Sequence, residues 1–131
     1  MQPARMPQAA AHLFVVLSLF VAAFHVALIL GAPWGEYTLG GRWRGALPAP
    51  VRLIPLVSAI VLAGLAAITV ARAGLALREL QPFADTWIWG VVAFCALGSA
   101  ANAVTPSPRE RAVWLPVVVC MLGLSLVVAT S

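Results

Sequence analysis

The chain has 131 residues, 63% hydrophobic and only 9% charged, with eight arginines, no lysine and a net charge of +4. An ordinary soluble domain carries about 25% charged residues, so this chain has too little polar surface to cover a fold in water. Its basic residues are scattered between apolar runs rather than gathered into a stripe, which argues against nucleic acid as a partner.

Four apolar runs follow one another, at residues 13–32, 51–71, 86–104 and 112–130, and none holds a formal charge except Arg52 near an edge. A helix rises about 1.5 Å per residue, so about 20 residues cross a hydrocarbon core of about 30 Å. Lipid offers no hydrogen-bond partners, so each run must satisfy its own backbone, which selects helix. The runs predict an all-α membrane protein: a single domain over residues 1–131, built as a four-transmembrane-helix bundle with the lipid bilayer as its surroundings. The first run is longer than a signal peptide's apolar stretch of about 7–15 residues, and no A-x-A site follows it, so it reads as a span.

In the first run, Ser18, Ala22 and His25 share one helical face. The connection that follows, GAPWGEYTLGGRWRGALPAP over residues 31–50, holds five of the ten glycines, three prolines, Trp34, Tyr37 and Trp43, and the charges Glu36, Arg42 and Arg44. Glycine permits sharp turns and proline restricts the backbone, so loop 1, residues 33–50, reads as a shaped lid. Glu36 is expected to pair with Arg42 or Arg44. In the second run, Pro55 is expected to fall inside the helix and leave the Val51 carbonyl unpaired. Ala59, Ala63, Ala67 and Ala71 recur every four residues and predict a strip that seats a neighbouring helix.

Trp87 and Trp89 open the third run, as interfacial rings should. Cys95, Gly98, Ser99 and Asn102 then form a small and polar face. The stretch TPSPRER predicts a capping box for the fourth helix, with Ser107 as N-cap, Pro108 first in the helix and Glu110 reaching back. Pro116, Cys120 and Gly123 are expected to make that helix's packing face, and Pro116 to free the Ala112 carbonyl.

Four spans place loop 1 and the third loop, which leads into Arg109, Glu110 and Arg111, on the same face. That face carries Arg42, Arg44, Arg52, Arg109 and Arg111, against Arg5, Arg72 and Arg78 opposite. The count of five against three predicts that loops 1 and 3 are cytoplasmic. Nearly all the chemically distinctive residues gather there. Polar residues inside a membrane are costly and tend to be functional or paired. They predict a small ligand-binding mouth beneath loop 1. His25, Arg52, Asn102 and Trp114 are its expected lining, and Trp34, Glu36, Arg42 and Arg44 are expected to bind the ligand with them. The competing expectation is that His25 bonds a neighbouring helix, at Asn102 or at a freed carbonyl, and serves stability only.

No catalytic triad, glycine-rich phosphate loop or H-E-x-x-H is present, and no cofactor is expected. Cys95 and Cys120 are not in a C-x-x-C and read as small hydrophobes. His12 and His25 lie nearly four turns apart with no carboxylate beside either, so no metal site is expected. GAPWG, GGRWRGALPAPVR and TPSPRERAVWLP resemble stretches of small four-span membrane proteins of bacteria. The resemblance covers most of the chain. It implies four spans and the bacterial inner membrane, and no activity or site residue. The leading expectation is a non-catalytic protein that binds a lipid or small ligand, or serves as an accessory subunit beside a membrane-protein partner. A homodimeric transporter titrating at His25 is the second reading. A membrane enzyme using His25 and Asn102 on a lipidic substrate is the third.

Overall fold

A computed structural model describes residues 5–131 as four helices in up-down-up-down order. They are α1 (Arg5–Ile29), α2 (Leu53–Arg72), α3 (Gln81–Val104) and α4 (Pro108–Ala129), and all four are long and apolar enough to cross a membrane. Each of α1 and α3 packs along both α2 and α4, which closes a four-cornered bundle.

The helix ends follow from local chemistry. Gly31 and Gly74 adopt φ of 97° and 75°, conformations that cost glycine little. Each closes its helix with the paired bonds of a Schellman turn. Ala32 N–H donates to Ala27 O and Gly31 N–H to Leu28 O at the end of α1; Leu75 N–H donates to Val70 O and Gly74 N–H to Ala71 O at the end of α2. Pro55 does not fall inside a helix interior as expected. Residues Ala49–Arg52 form a 3-10 turn and α2 begins at Leu53, so Pro55 sits in the first turn, where a missing N–H costs no intrahelical bond.

The well-packed part of the core lies toward the end of the bundle that holds the chain termini. There Ala11, Phe14, Thr69, Ile88, Val91, Ser125 and Val128 are buried. Arg72 closes that end: it pairs with Asp85 at 3.6 Å and donates to the Ala129 and Ser131 carbonyls at 3.3 and 2.9 Å. The outer surface carries exposed Leu19, Ile60, Leu97 and Val104. Such a surface would aggregate in water and is what lipid requires.

The expected packing face of α4 lies elsewhere, and that of α2 is seated only in part, with Ala71 buried and Ala59 and Ala67 half-buried. On α2 the buried residues are Pro55, Leu62, Leu65, Thr69 and Ala71, while Ala63 is exposed and a Cβ on Gly64 would meet nothing within 4 Å. On α4, Pro116, Cys120 and Gly123 are exposed, and Met121, Ser125 and Val128 face in. The α3 face behaves as expected: a Cβ on Gly98 would lie 3.2 Å from Val118 Cγ2, so small size there lets α4 approach.

Candidate functional site: a cavity beneath loop 1

At the loop end the bundle does not close on itself. A cavity of about 430 Å³ runs down between the helices, with Val21, Phe24 and His25 from α1, Ser58, Leu62 and Leu65 from α2, Phe94, Cys95, Gly98 and Asn102 from α3, and Glu110, Trp114, Val117 and Met121 from α4 among its walls. Tyr37, Thr38 and Leu39 of loop 1 also line it and form its roof. On α4 the walls extend from Met121 to Glu110, eleven residues, or about 16 Å of helix. The floor is apolar, and the polar groups are close to the roof.

Loop 1 is latched to the start of α4. Ser107 Oγ donates to the Glu36 carbonyl at 2.6 Å and accepts from Glu110 N–H at 3.1 Å, which makes Ser107 both the α4 N-cap and a tether for the loop. Trp114 Nε1 donates to Tyr37 O at 2.8 Å, and Gly40 N–H donates to the Glu110 carboxylate at 3.2 Å. Glu36 pairs with Arg109 in the first turn of α4 at 2.9 Å, rather than with Arg42 or Arg44 as expected. Arg42 lies over the Trp43 ring at 4.8 Å, and a short left-handed run, Leu39, Gly40 and Gly41 with φ of 51°, 71° and 73°, turns the loop over the cavity.

The capping box is therefore half formed. Ser107 caps as expected, but the Glu110 side chain does not reach back to Ser107 N–H. That donor takes Thr105 Oγ1 at 3.3 Å instead, which leaves the carboxylate for Gly40 and the cavity mouth. Glu110 is the residue that sequence reasoning placed in the helix cap and not in the cavity. Thr105, two positions before Ser107, was the available signal.

The expected lining residues divide. His25, Asn102 and Trp114 line the cavity. His25 Nδ1 bonds the Val21 carbonyl at 2.8 Å, and Asn102 Nδ2 donates to the Gly98 carbonyl at 2.8 Å. Each bond stays within its own helix, so neither residue makes the interhelical bond that a purely structural role predicts. A carbonyl can only accept, so Nδ1 carries the proton, and the neutral ring's Nε2 is an acceptor; Asn102 likewise keeps Oδ1. Arg52 is not in the cavity. Its Nε donates to Leu47 O at 2.9 Å and its Nη1 to Ile29 O at 3.5 Å, which places a cation over the C-terminus of α1, where the helix dipole favours it.

Trp34 stacks on Phe24 with centroids 6.2 Å apart and belongs to a second hollow, of about 500 Å³, on the α1–α4 side of the bundle. Phe24, Tyr37 and Trp114 line both spaces and form the wall between them, with Phe24 and Trp114 centroids 4.6 Å apart. Glu36 and Arg44 line a polar hollow with Gly40, Gly41 and Arg109, formed where loops 1 and 3 meet.

These features define a class: a small multi-pass membrane protein whose four-helix bundle encloses a cavity under a latched loop. Comparison of the chain with protein families, curated proteins and solved structures returns no match.

Proposed function

We propose that this protein binds a small, mostly apolar ligand in the cavity beneath loop 1, without transforming it. The observation that carries this reading is the cavity itself. Its 430 Å³ falls within the range of about 300–1,000 Å³ typical of small-molecule sites, and it combines an apolar floor with a few convergent polar groups. His25 and Asn102 contribute polar atoms without interhelical partners, and Trp114 supports the roof. Trp34, Glu36, Arg42, Arg44 and Arg52 act on the shape of the loop and the helix ends around the mouth.

The test is native mass spectrometry of the protein released from its own membranes in a mild detergent. The expected result is a discrete bound mass that is lost in His25→Ala while thermal stability is kept. Unchanged retention with lowered stability would make His25 a packing residue. A protein recovered bare would overturn ligand binding, and a heteromeric mass would make it an accessory subunit of the partner so revealed.

A transporter is the second reading, favoured by one observation: a titratable imidazole lines the cavity beside the Phe24–Trp114 wall, behind which lies the hollow on the α1–α4 side. pH-dependent flux in proteoliposomes, lost in His25→Ala, would select it. The arginine count and the sequence resemblance support a bacterial inner-membrane location with loops 1 and 3 in the cytoplasm.

A further inference from the structure

We infer that the cavity takes an amphipathic organic cation, with its ammonium-type head at Glu110 and its apolar body directed down toward Met121. This rests on the reading that the cavity binds a ligand, and adds the ligand's charge and its orientation.

Among the described residues that line the cavity, Glu110 is the one carboxylate and there is no arginine. The arginines of the same face are committed elsewhere. Arg52 is bonded to Leu47 and Ile29, Arg109 is paired with Glu36, Arg111 donates to the Thr105 carbonyl at 3.0 Å, and Arg42 covers Trp43. Arg44 lines the polar hollow between the loops. This face carries more positive than negative charge overall, which opposes a cation at long range. Exposed charges are screened over about 8 Å at physiological ionic strength, whereas a carboxylate at the cavity mouth acts at contact. The local sign therefore decides what is held.

Hydrogen-bonding capacity points the same way. The Glu110 carboxylate, His25 Nε2 and Asn102 Oδ1 are acceptors; the donors among the described lining residues are neutral groups, such as the hydroxyls of Tyr37, Thr38 and Ser58, and none is an arginine. A ligand head that donates, or that is a bare cation, complements them; a phosphate or carboxylate head finds no partner of opposite charge. Four aromatic rings, Phe24, Tyr37, Phe94 and Trp114, line the same space, and their faces attract cations.

The test uses three probes of one shape class against the full chain in nanodiscs of zwitterionic lipid, read by equilibrium dialysis with empty nanodiscs subtracted. They are benzyltrimethylammonium, its uncharged carbon isostere neopentylbenzene, and the anion benzenesulfonate. Benzyltrimethylammonium is expected to bind tightest. Glu110→Gln should weaken it at least about tenfold and leave neopentylbenzene unchanged. Glutamine keeps an acceptor for Gly40 N–H, so the loop latch survives, and a thermal unfolding scan checks this. Ser58→Phe, which fills the cavity from α2, should abolish binding of every probe. If the neutral or anionic probe binds as well as the cation, or if Glu110→Gln leaves cation binding unchanged, the charge inference fails and ligand binding stands. Cation binding that survives Ser58→Phe places the site elsewhere and overturns the inference. If none of the three binds, the ligand-binding reading fails with it.

Discussion

Gly35 has no room for a side chain. A Cβ there would overlap the Trp43 carbonyl oxygen and come within 2.7 Å of the Gly45 oxygen, because Gly35 N–H donates to Gly45 O at 2.8 Å and draws the two arms of loop 1 together. The obstacles are backbone atoms, which cannot swing aside, so Gly35→Ala must open the loop. The expected outcome is faster hydrogen exchange across residues 35–45 with the spans still protected; unchanged exchange would show that the loop re-forms around a methyl group. Arg52 illustrates a limit at the same scale. As a charge at the edge of a span it resembled a site residue, yet its partners are carbonyls of Leu47 and Ile29, which no side-chain pattern displays.

At the scale of elements, the ends of helices were more legible than their faces. Ser107 before Pro108 marked the start of α4, and the bond from Glu110 N–H to Ser107 Oγ is the cap that this order of residues predicts. Ser107→Ala removes that cap and also the bond to Glu36 O, so it should destabilise the protein by about 1–2 kcal/mol, seen as a lowered unfolding midpoint in detergent. A midpoint unchanged from wild type would mean that the loop latch carries no weight. The small-residue strip on α4 misled, and that on α2 held only in part, for a physical reason. In water the polar side of a helix must face out, so periodicity reveals the buried side. In lipid both sides are apolar, and small residues are equally comfortable facing a neighbouring helix or the tails. Which side is buried is settled by how large residues such as Leu62, Leu65 and Met121 fit together.

For the whole molecule, an even number of crossings places loops 1 and 3 together, and the latch between Glu36, Ser107 and Arg109 shows the two loops in contact. The excess of arginines there leads to the expectation that this face is cytoplasmic. With Cys95 and Cys120 replaced by alanine, an Arg44→Cys variant should resist a membrane-impermeant maleimide in intact cells and react once the cells are opened. Labelling of intact cells would reverse the orientation. Of the residues that line the cavity, His25, Asn102 and Trp114 were foreseeable because polar and amphipathic groups are scarce in these spans. Ser58, Phe94 and the roof of Tyr37, Thr38 and Leu39 were not, because an ordinary serine, phenylalanine or loop residue becomes a cavity wall only through its neighbours.

The sequence by itself determined the class of protein, the number of spans and their approximate limits. Those properties depend on membrane thickness and on the need of every buried backbone group for a local partner, and both can be counted along a chain. The tertiary structure alone decided that Arg52 turns away to the end of α1, that Glu36 reaches Arg109, and that Glu110 leaves its helix cap to face the cavity. Each of those outcomes is a choice between alternative partners for one charged group. The choice depends on which atoms residues far apart in the chain bring within hydrogen-bond distance.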